Sequence, residues 1–336
     1  MAASDTEAVG ERRSPVIGIV GLGQLGQSIG LALQEVKTDF RVWGHDLDHD
    51  LAREAGSAGA VDKTSWNLID VAGEADLLFV TEPLSQLEAT FEAIAPHLRP
   101  ESLVTDTAGT KVGVMEMAGR LLPDGVSFVG GHPIPGPAAG EGQPESADAR
   151  LLVGATYCLV PDPDASEAAV DVLAGLVTAI GARPYFIGAD EHDALVAGVS
   201  HLPLVVDAAV STMVGASPSA RDLRRLSPGG LLVGSVGAAP PGGDRESTAS
   251  LVGNAANVLP WLDQLLDLLG QYRAAMVEGD SGALTELLDR AEAARAEWLA
   301  GDDAGDDAGA EAVEELRDVN PLRNLIFGRG SRRPKD

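Results

Sequence analysis

Two periods of apolar spacing run through the first half of the chain. Val16 to Val20 is an unbroken apolar run, the pattern of a strand buried on both faces. Beyond it, Leu25, Ile29, Ala32 and Leu33 recur at helical spacing on one face. The same alternation continues. Strands are predicted at 40–44, 75–80, 102–105, 126–129, 155–160 and 184–187, and helices at 51–59, 84–98, 111–122 and 166–180. Residues 62–68 read as a connection and 137–151 as irregular chain. Strand–helix alternation of this kind predicts an open, mainly parallel sheet covered by helices. Near residue 189 the pattern changes, and from 189 to 299 strand signals almost disappear. A helix is predicted at 191–214, interrupted by Pro203, and another at 254–277, with apolar residues at 258, 259, 262, 265, 266 and 269. Glu278-Gly279-Asp280 reads as a turn before an amphipathic helix at 283–298, and the Gly- and Pro-rich 227–246 stretch as loop.

The junction between the first strand and helix is Gly21-Leu22-Gly23-Gln24-Leu25-Gly26, a G-x-G-x-x-G turn. In this context the motif binds a dinucleotide. Gly21 allows the turn, Gly23 lets backbone approach a pyrophosphate, Gly26 lets helix and strand close up, and the helix N-terminus offers free N–H groups. Among 40 glycines the motif alone is weak, but the second predicted strand ends at Asp46, 25 residues after Gly21. An acid there accepts hydrogen bonds from a ribose diol and repels a 2′-phosphate, so NAD is expected ahead of NADP. Thr81-Glu82-Pro83 ends a strand beside the same crevice, which adds Thr81 and Pro83 to Gly21, Gly23, Gln24, Leu25, Gly26 and Asp46 as candidate cofactor residues. The expected architecture is α/β. A Rossmann-type dinucleotide-binding domain spans 15–188 and an all-α substrate and dimerisation domain spans 189–300, between a disordered leader, 1–14, and a disordered tail, 301–336, acidic and then basic.

Composition narrows the partners. The chain has 336 residues and a net charge of −27, which argues against nucleic acid and anionic membrane. No apolar run near 18 residues stands out as a membrane span, and the first 15 residues lack a signal-peptide core. The single cysteine, Cys158, fits a reducing, cytoplasmic setting. No Cys/His cluster has metal-ligand spacing. Eight acids and one arginine crowd 301–318, read as a solvated tail.

The sharpest chemical candidate is His132 in Gly130-Gly131-His132-Pro133, read as a turn at the carboxyl end of a strand. A histidine there either accepts a proton from an alcohol as hydride leaves or caps the turn. Asp193, Ala197 and His201 are spaced four apart on a helix, where His201 is either a half-buried structural residue or a ligand contact.

Taken together, the glycine turn, Gly44-His45-Asp46, the 106–111 segment (DTAGTK), Gly130-Gly131-His132-Pro133, Gly154-Ala155-Thr156-Tyr157, Glu191-His192-Asp193 and Ser200-His201-Leu202-Pro203 resemble the prephenate dehydrogenase family, which includes arogenate dehydrogenases. The resemblance runs from about Val16 to Trp298. It implies NAD-dependent oxidative decarboxylation of prephenate to 4-hydroxyphenylpyruvate, on the route to tyrosine. It further implies His132 as proton acceptor, His201 in the substrate pocket, and a helical dimerisation domain. The chain departs from the family in its substrate half. Gly109 stands where the family has a serine bonded to the catalytic histidine, with Thr110 adjacent as a stand-in. Leu204 stands where many members have a second histidine, and the polar residues that usually follow the catalytic histidine are replaced by 135–140 (PGPAAG). The family's carboxylate-binding arginine has two placements. By motif, Arg221-Asp222-Leu223-Arg224-Arg225 makes Arg225 the anchor. By distance from His201, the match is 228–237, which has no arginine, and Arg245 is a further candidate. These departures leave three readings: prephenate or arogenate as substrate, a less anionic alcohol, or a catalytically weak NAD-binding sensor.

Overall fold

The structure is a computed structural model that describes residues 13–37, 39–134, 146–227 and 244–300, with the side chains of 244–247 excepted. Eight strands form one sheet in the order β3-β2-β1-β4-β5-β6-β7-β8. They are β1 (Val16–Val20), β2 (Arg41–His45), β3 (Lys63–Thr64), β4 (Leu77–Val80), β5 (Leu103–Asp106), β6 (Ser127–Ile134), β7 (Thr156–Pro161) and β8 (Arg183–Phe186). Every pairing is parallel except β6 with β7. Strand order reverses beside β1, between β2 and β4, and opens a crevice at the carboxyl ends.

The alternation of inward faces sorts the helices into two layers. Ile17, Ile19, Leu77 and Phe79 pack under α1 (Gln24–Glu35), α2 (His49–Ser57) and α6 (Glu167–Ala179), meeting Ile29, Leu33, Ala52 and Leu173. Val20, Leu78, Val80 and Val104 pack under α3 (Leu68–Glu74), α4 (Leu84–Ile94) and α5 (Val112–Leu121), meeting Val71, Leu87, Phe91 and Val114. The expected connection at 62–68 contains β3, only two residues long, and leads into α3. Too short for periodicity to reveal, α3 did carry a cap signal, since the Asn67 side chain accepts from Ile69 N–H.

β6 differs from expectation in a way that matters. The Gly130-Gly131-His132-Pro133 segment is not a turn. The strand runs through it to Ile134, with His132 opposite Cys158 of β7. Glycines inside a strand mark close approach. A Cβ on Gly131 would lie 2.4 Å from the Asp106 carbonyl oxygen, and one on Gly130 would press on Met115 Sδ at 3.0 Å and Lys111 Cδ at 3.2 Å.

After β8 the described chain is helical: α7 (Ala189–Val196), a π turn (Ala197–His201), α8 (Leu202–Gly215), α9 (Ala220–Leu226), α10 (Asp244–Gly253), α11 (Ala255–Glu278) and α12 (Ser281–Ala300). Pro203 does not interrupt the 189–215 run. It falls in the first turn of α8, where the wide π turn before it absorbs a missing N–H. This run corrects the expectation that no stretch suits a membrane, because its 27 residues are long and apolar enough to cross one by length and composition. It nevertheless carries His192, Asp193 and His201, all buried against other parts of the protein. Gly279, with φ of 67°, takes the left-handed conformation that ends α11 and turns the chain into α12. The expected leader (apart from residues 13–14), the tail, residues 135–140 and 228–237 lie outside the described residues, as does the side chain of Arg245.

Candidate active site

At the crevice, Gly21 has φ of 92°, and its N–H donates to the His45 carbonyl at 2.9 Å. A Cβ on Gly26 would sit 2.0 Å from the Gly21 carbonyl oxygen and 2.7 Å from Thr81 Oγ1. Gly23 is the opposite case. A Cβ there would meet nothing within 4 Å, so the space over it is open. It caps α1 without a side chain, leaving the first N–H groups of the helix facing that space. Asp46 stands beside the turn, its carboxylate oriented by Leu22 N–H at 2.6 Å and Asp48 N–H at 2.7 Å. An open glycine, a bare helix N-terminus and a fixed carboxylate fit a dinucleotide's pyrophosphate and ribose. The remaining candidates support this cradle. Thr81 Oγ1 donates to the Val20 carbonyl at 3.1 Å and also to that of Gly21, bracing the turn. Pro83 caps α4, Leu25 packs against the core, and Gln24 lies at the start of α1, where its Nε2 donates to the Ser146 carbonyl at 3.4 Å. Gly26→Ala is expected to cost about 1–3 kcal/mol through overpacking and to weaken nucleotide binding more than tenfold. Thermal melts and a nucleotide titration check both.

Two strands along, a buried ion pair sets the position of His132. Lys111 and Asp106 are both fully buried and paired. Lys111 Nζ donates to the Gly131 carbonyl at 2.7 Å, while Asp106 accepts from Gly131 N–H at 3.0 Å and Ala108 N–H at 2.8 Å. The peptide before His132 is thus held from both sides. Burial lowers the Lys111 pKa, with Asp106 opposing it.

From the helical region, α7 brings a second chain of bonds. Asp193 accepts from Lys111 N–H at 2.7 Å, from Val112 N–H at 3.0 Å and from His192 Nδ1 at 2.8 Å. Burial pushes its pKa up, but the bonds from His192, Val112 and Lys111 outweigh that, and it titrates below its ordinary value. His192 Nε2 lies 2.9 Å from His132 Nδ1. The ionised Asp193 can only accept, so His192 Nδ1 carries its proton. In neutral His192, Nε2 is then an acceptor, which requires His132 Nδ1 to be the donor. His132 Nε2 is left as a bare lone pair. Burial, followed by His192, Lys111 and His201, holds the His132 pKa well below the usual imidazole value, so the ring stays neutral at neutral pH.

Nε2 faces Gly109. A Cβ built on that residue would lie 3.8 Å from it. His201 completes the group, its Nδ1 3.1 Å from Asn254 Nδ2, which also donates to the Asp193 carbonyl at 2.7 Å. His201 is buried, and burial lowers its pKa against the pull of Asp193.

This arrangement has relatives. The family model for the nucleotide-binding domain of prephenate dehydrogenase matches residues 29–186. Prephenate dehydrogenase of Bacillus subtilis is 30% identical over 193 residues, covering 57% of this chain and 52% of that protein, so the match spans about half its length. Cyclohexadienyl dehydrogenase of Zymomonas mobilis is 28% identical over 282 residues, covering 83% and 94%. NovF of Streptomyces niveus, named a probable prephenate dehydrogenase, is 30% identical over 279 residues, covering 80% and 71%. The chain belongs to the prephenate dehydrogenase family. The crystal structure of prephenate dehydrogenase from Aquifex aeolicus shares the fold, with a TM-score of 0.73 at 22% identity over 84% of this chain and 99% of that one.

Within this family frame, the structure brings His132 and His201 together but separates the other two candidate substrate residues. Gly109, not Thr110, faces the His132 ring, and Thr110 is buried one step on. Arg225, the motif-based anchor, lies on α9. It pairs with Asp222 at 3.3 Å on the exposed side of α9, with its side chain 73% exposed. Sequence reading singled out no role for His192, Asp193, Lys111, Asp106 or Asn254 in ordering His132. The available signals were a His-Asp pair opening a helix and a lysine at the predicted start of another.

Proposed function

We propose that this protein is an NAD-dependent dehydrogenase that oxidatively decarboxylates a cyclohexadienol of the prephenate class, with His132 receiving the hydroxyl proton. The observation that carries this reading is the Asp193–His192–His132 chain, which leaves the neutral His132 Nε2 as an acceptor at the edge of the cleft. Asp46, fixed beside the glycine turn, supports NAD as the cofactor. The first N–H groups of α1 and the backbone at Gly23 would hold its pyrophosphate. When bound, NAD supplies the acceptor for the hydride.

The protein's own part is positional and acid–base. His132 takes the hydroxyl proton as hydride leaves the carbinol carbon. The bond to the ring carboxylate then breaks, CO2 departs and the ring becomes aromatic. His132 returns the proton to the phenol oxygen, so none is consumed. His192 and Asp193 stabilise the charge His132 carries in between, and the buried Lys111–Asp106 pair keeps its strand from shifting. His201 faces the same space from the helical side and contributes to the substrate pocket.

A second reading has its own support. Gly109 offers His132 no hydroxyl, Leu204 offers no charge, and Arg225 is solvated. This favours arogenate, or another alcohol less anionic than prephenate, over prephenate itself. The helical region supports a homodimer. α11 buries only Val258 and Ala275 and α12 only Leu287, while Leu259, Trp261, Leu266, Leu269, Met276 and Val277 are exposed, as in helices that close against a second copy.

The deciding assay supplies purified protein with NAD and either prephenate or arogenate, following NADH absorbance and released CO2. Turnover with either places the substrate in this class. NAD binding without turnover of either moves the reading to another alcohol or to a sensor.

A further inference from the structure

A second carboxylate stands at the glycine turn. Glu82 follows β4 at its carboxyl end. Its backbone N and Cγ both lie 3.0 Å from where a Cβ on Gly21 would be, so the side chain passes directly against the first glycine of the turn. Thr90 of α4 donates to Glu82 Oε2 and fixes the carboxylate there. Burial raises the Glu82 pKa. Thr90 opposes this, the charge of Asp46 adds to it, and His45 lowers it again, so the two carboxylates sense each other across the pocket. His45, the residue before Asp46, interacts electrostatically with Glu82. It is buried, its Nδ1 donates to the Ser65 carbonyl at 3.0 Å, and its Nε2 has no partner among the described residues. Asp46 spends both oxygens on backbone N–H groups, whereas Glu82 Oε2 is held by the Thr90 hydroxyl.

We propose that Glu82 is a second determinant of cofactor choice, its negative charge adding to that of Asp46 against a 2′-phosphate on the adenosine ribose. The proposal rests on the placement of NAD at the glycine turn. Two carboxylates flanking one glycine turn set two like-charge repulsions against the 2′-phosphate of NADP, and NAD, with a neutral hydroxyl there, meets neither. Asp46 alone would reject NADP by direct contact. Glu82 extends the rejection through the field of a half-buried, anchored charge, which salt screens less than it screens a surface group.

The test measures dissociation constants for NAD and NADP by direct titration of the full chain at mildly alkaline pH, which keeps the Glu82 carboxyl ionised despite its raised pKa. Wild type, Glu82→Gln, Asp46→Asn and the double variant are compared, with thermal melts to confirm folding. Glu82→Gln is expected to lower the NADP/NAD discrimination by about tenfold, as for removal of one close like charge, and to change NAD affinity less than threefold. The double variant is expected to lose more discrimination than either single change. If folded Glu82→Gln keeps the wild-type ratio while Asp46→Asn shifts it, Glu82 has no such role and the glycine-turn site stands. If wild type binds neither nucleotide, the underlying placement fails and the proposal falls with it. Should Glu82→Gln melt early, Thr90→Val provides the second route. Freed of its anchor, the carboxylate should then discriminate less, and an unchanged ratio there counts against the proposal.

Discussion

His132→Gln is expected to lower turnover about 10²–10⁴-fold, the usual worth of a positioned general base, while NAD affinity stays within a few-fold. His132 sits on β6, away from the glycine turn, so nucleotide titration and steady-state NADH production should separate cleanly. A matching pH profile is expected in the wild type. The ring must be neutral to accept a proton, and burial, followed by His192, Lys111 and His201, moves its pKa down. Turnover should therefore hold steady through neutral pH and fall only as pH drops through that lowered value, below the ordinary histidine range. An acid limb at or above the ordinary range would remove His132 Nε2 as the acceptor.

Asp193→Asn should be nearly as damaging, though the residue touches no substrate. A carboxylate accepts from Lys111 N–H, Val112 N–H and His192 Nδ1 at once. An amide's NH2 must replace either Oδ2, which serves Val112 N–H, or Oδ1, which serves both Lys111 N–H and His192 Nδ1. Turned toward His192, it reverses the ring's tautomer, and the reversal passes to His132, whose Nε2 then bears a hydrogen. A fall in kcat of about 10²–10⁴-fold is expected, as where a wrong tautomer disables a histidine base. A loss of about 1–3 kcal/mol in stability should accompany it, from the unsatisfied backbone N–H. Urea melts and kcat together check this. Asp193→Glu should restore part of kcat if charge is what matters, and an equal loss in Glu and Asn variants would point to packing instead.

The cofactor half was legible because its signals are local. The apolar run at 16–20, the glycine spacing and the acid at 46 each follow from one short stretch, and strand and helix periods placed them. His132 was legible as a residue but not as an element. Glycine pairs usually signal turns, and only the buried Lys111 and Asp106 lying against Gly130 and Gly131 explain why the strand continues. The tautomer chain was out of reach because its links are distant. His132 and His192 lie 60 positions apart, and Lys111 and Asp193 lie 82. Arg225 shows the converse case, where a motif-like string of charges lies on an exposed helix face.

The π turn at Ala197–His201 alters how this chain should be set against its relatives. Asp193 and His201 are eight residues apart, which in a regular helix leaves them about 80° out of phase. One surplus residue in the wide turn makes the effective separation seven and brings the offset to about 20°, which lets Asn254 reach the carbonyl of one and the imidazole of the other. That surplus residue behaves as a single-position insertion. A relative with an unbroken helix here would have one residue fewer between its matches to His192 and His201, and a gapless pairing of the two chains would misassign every residue downstream, including Asn254.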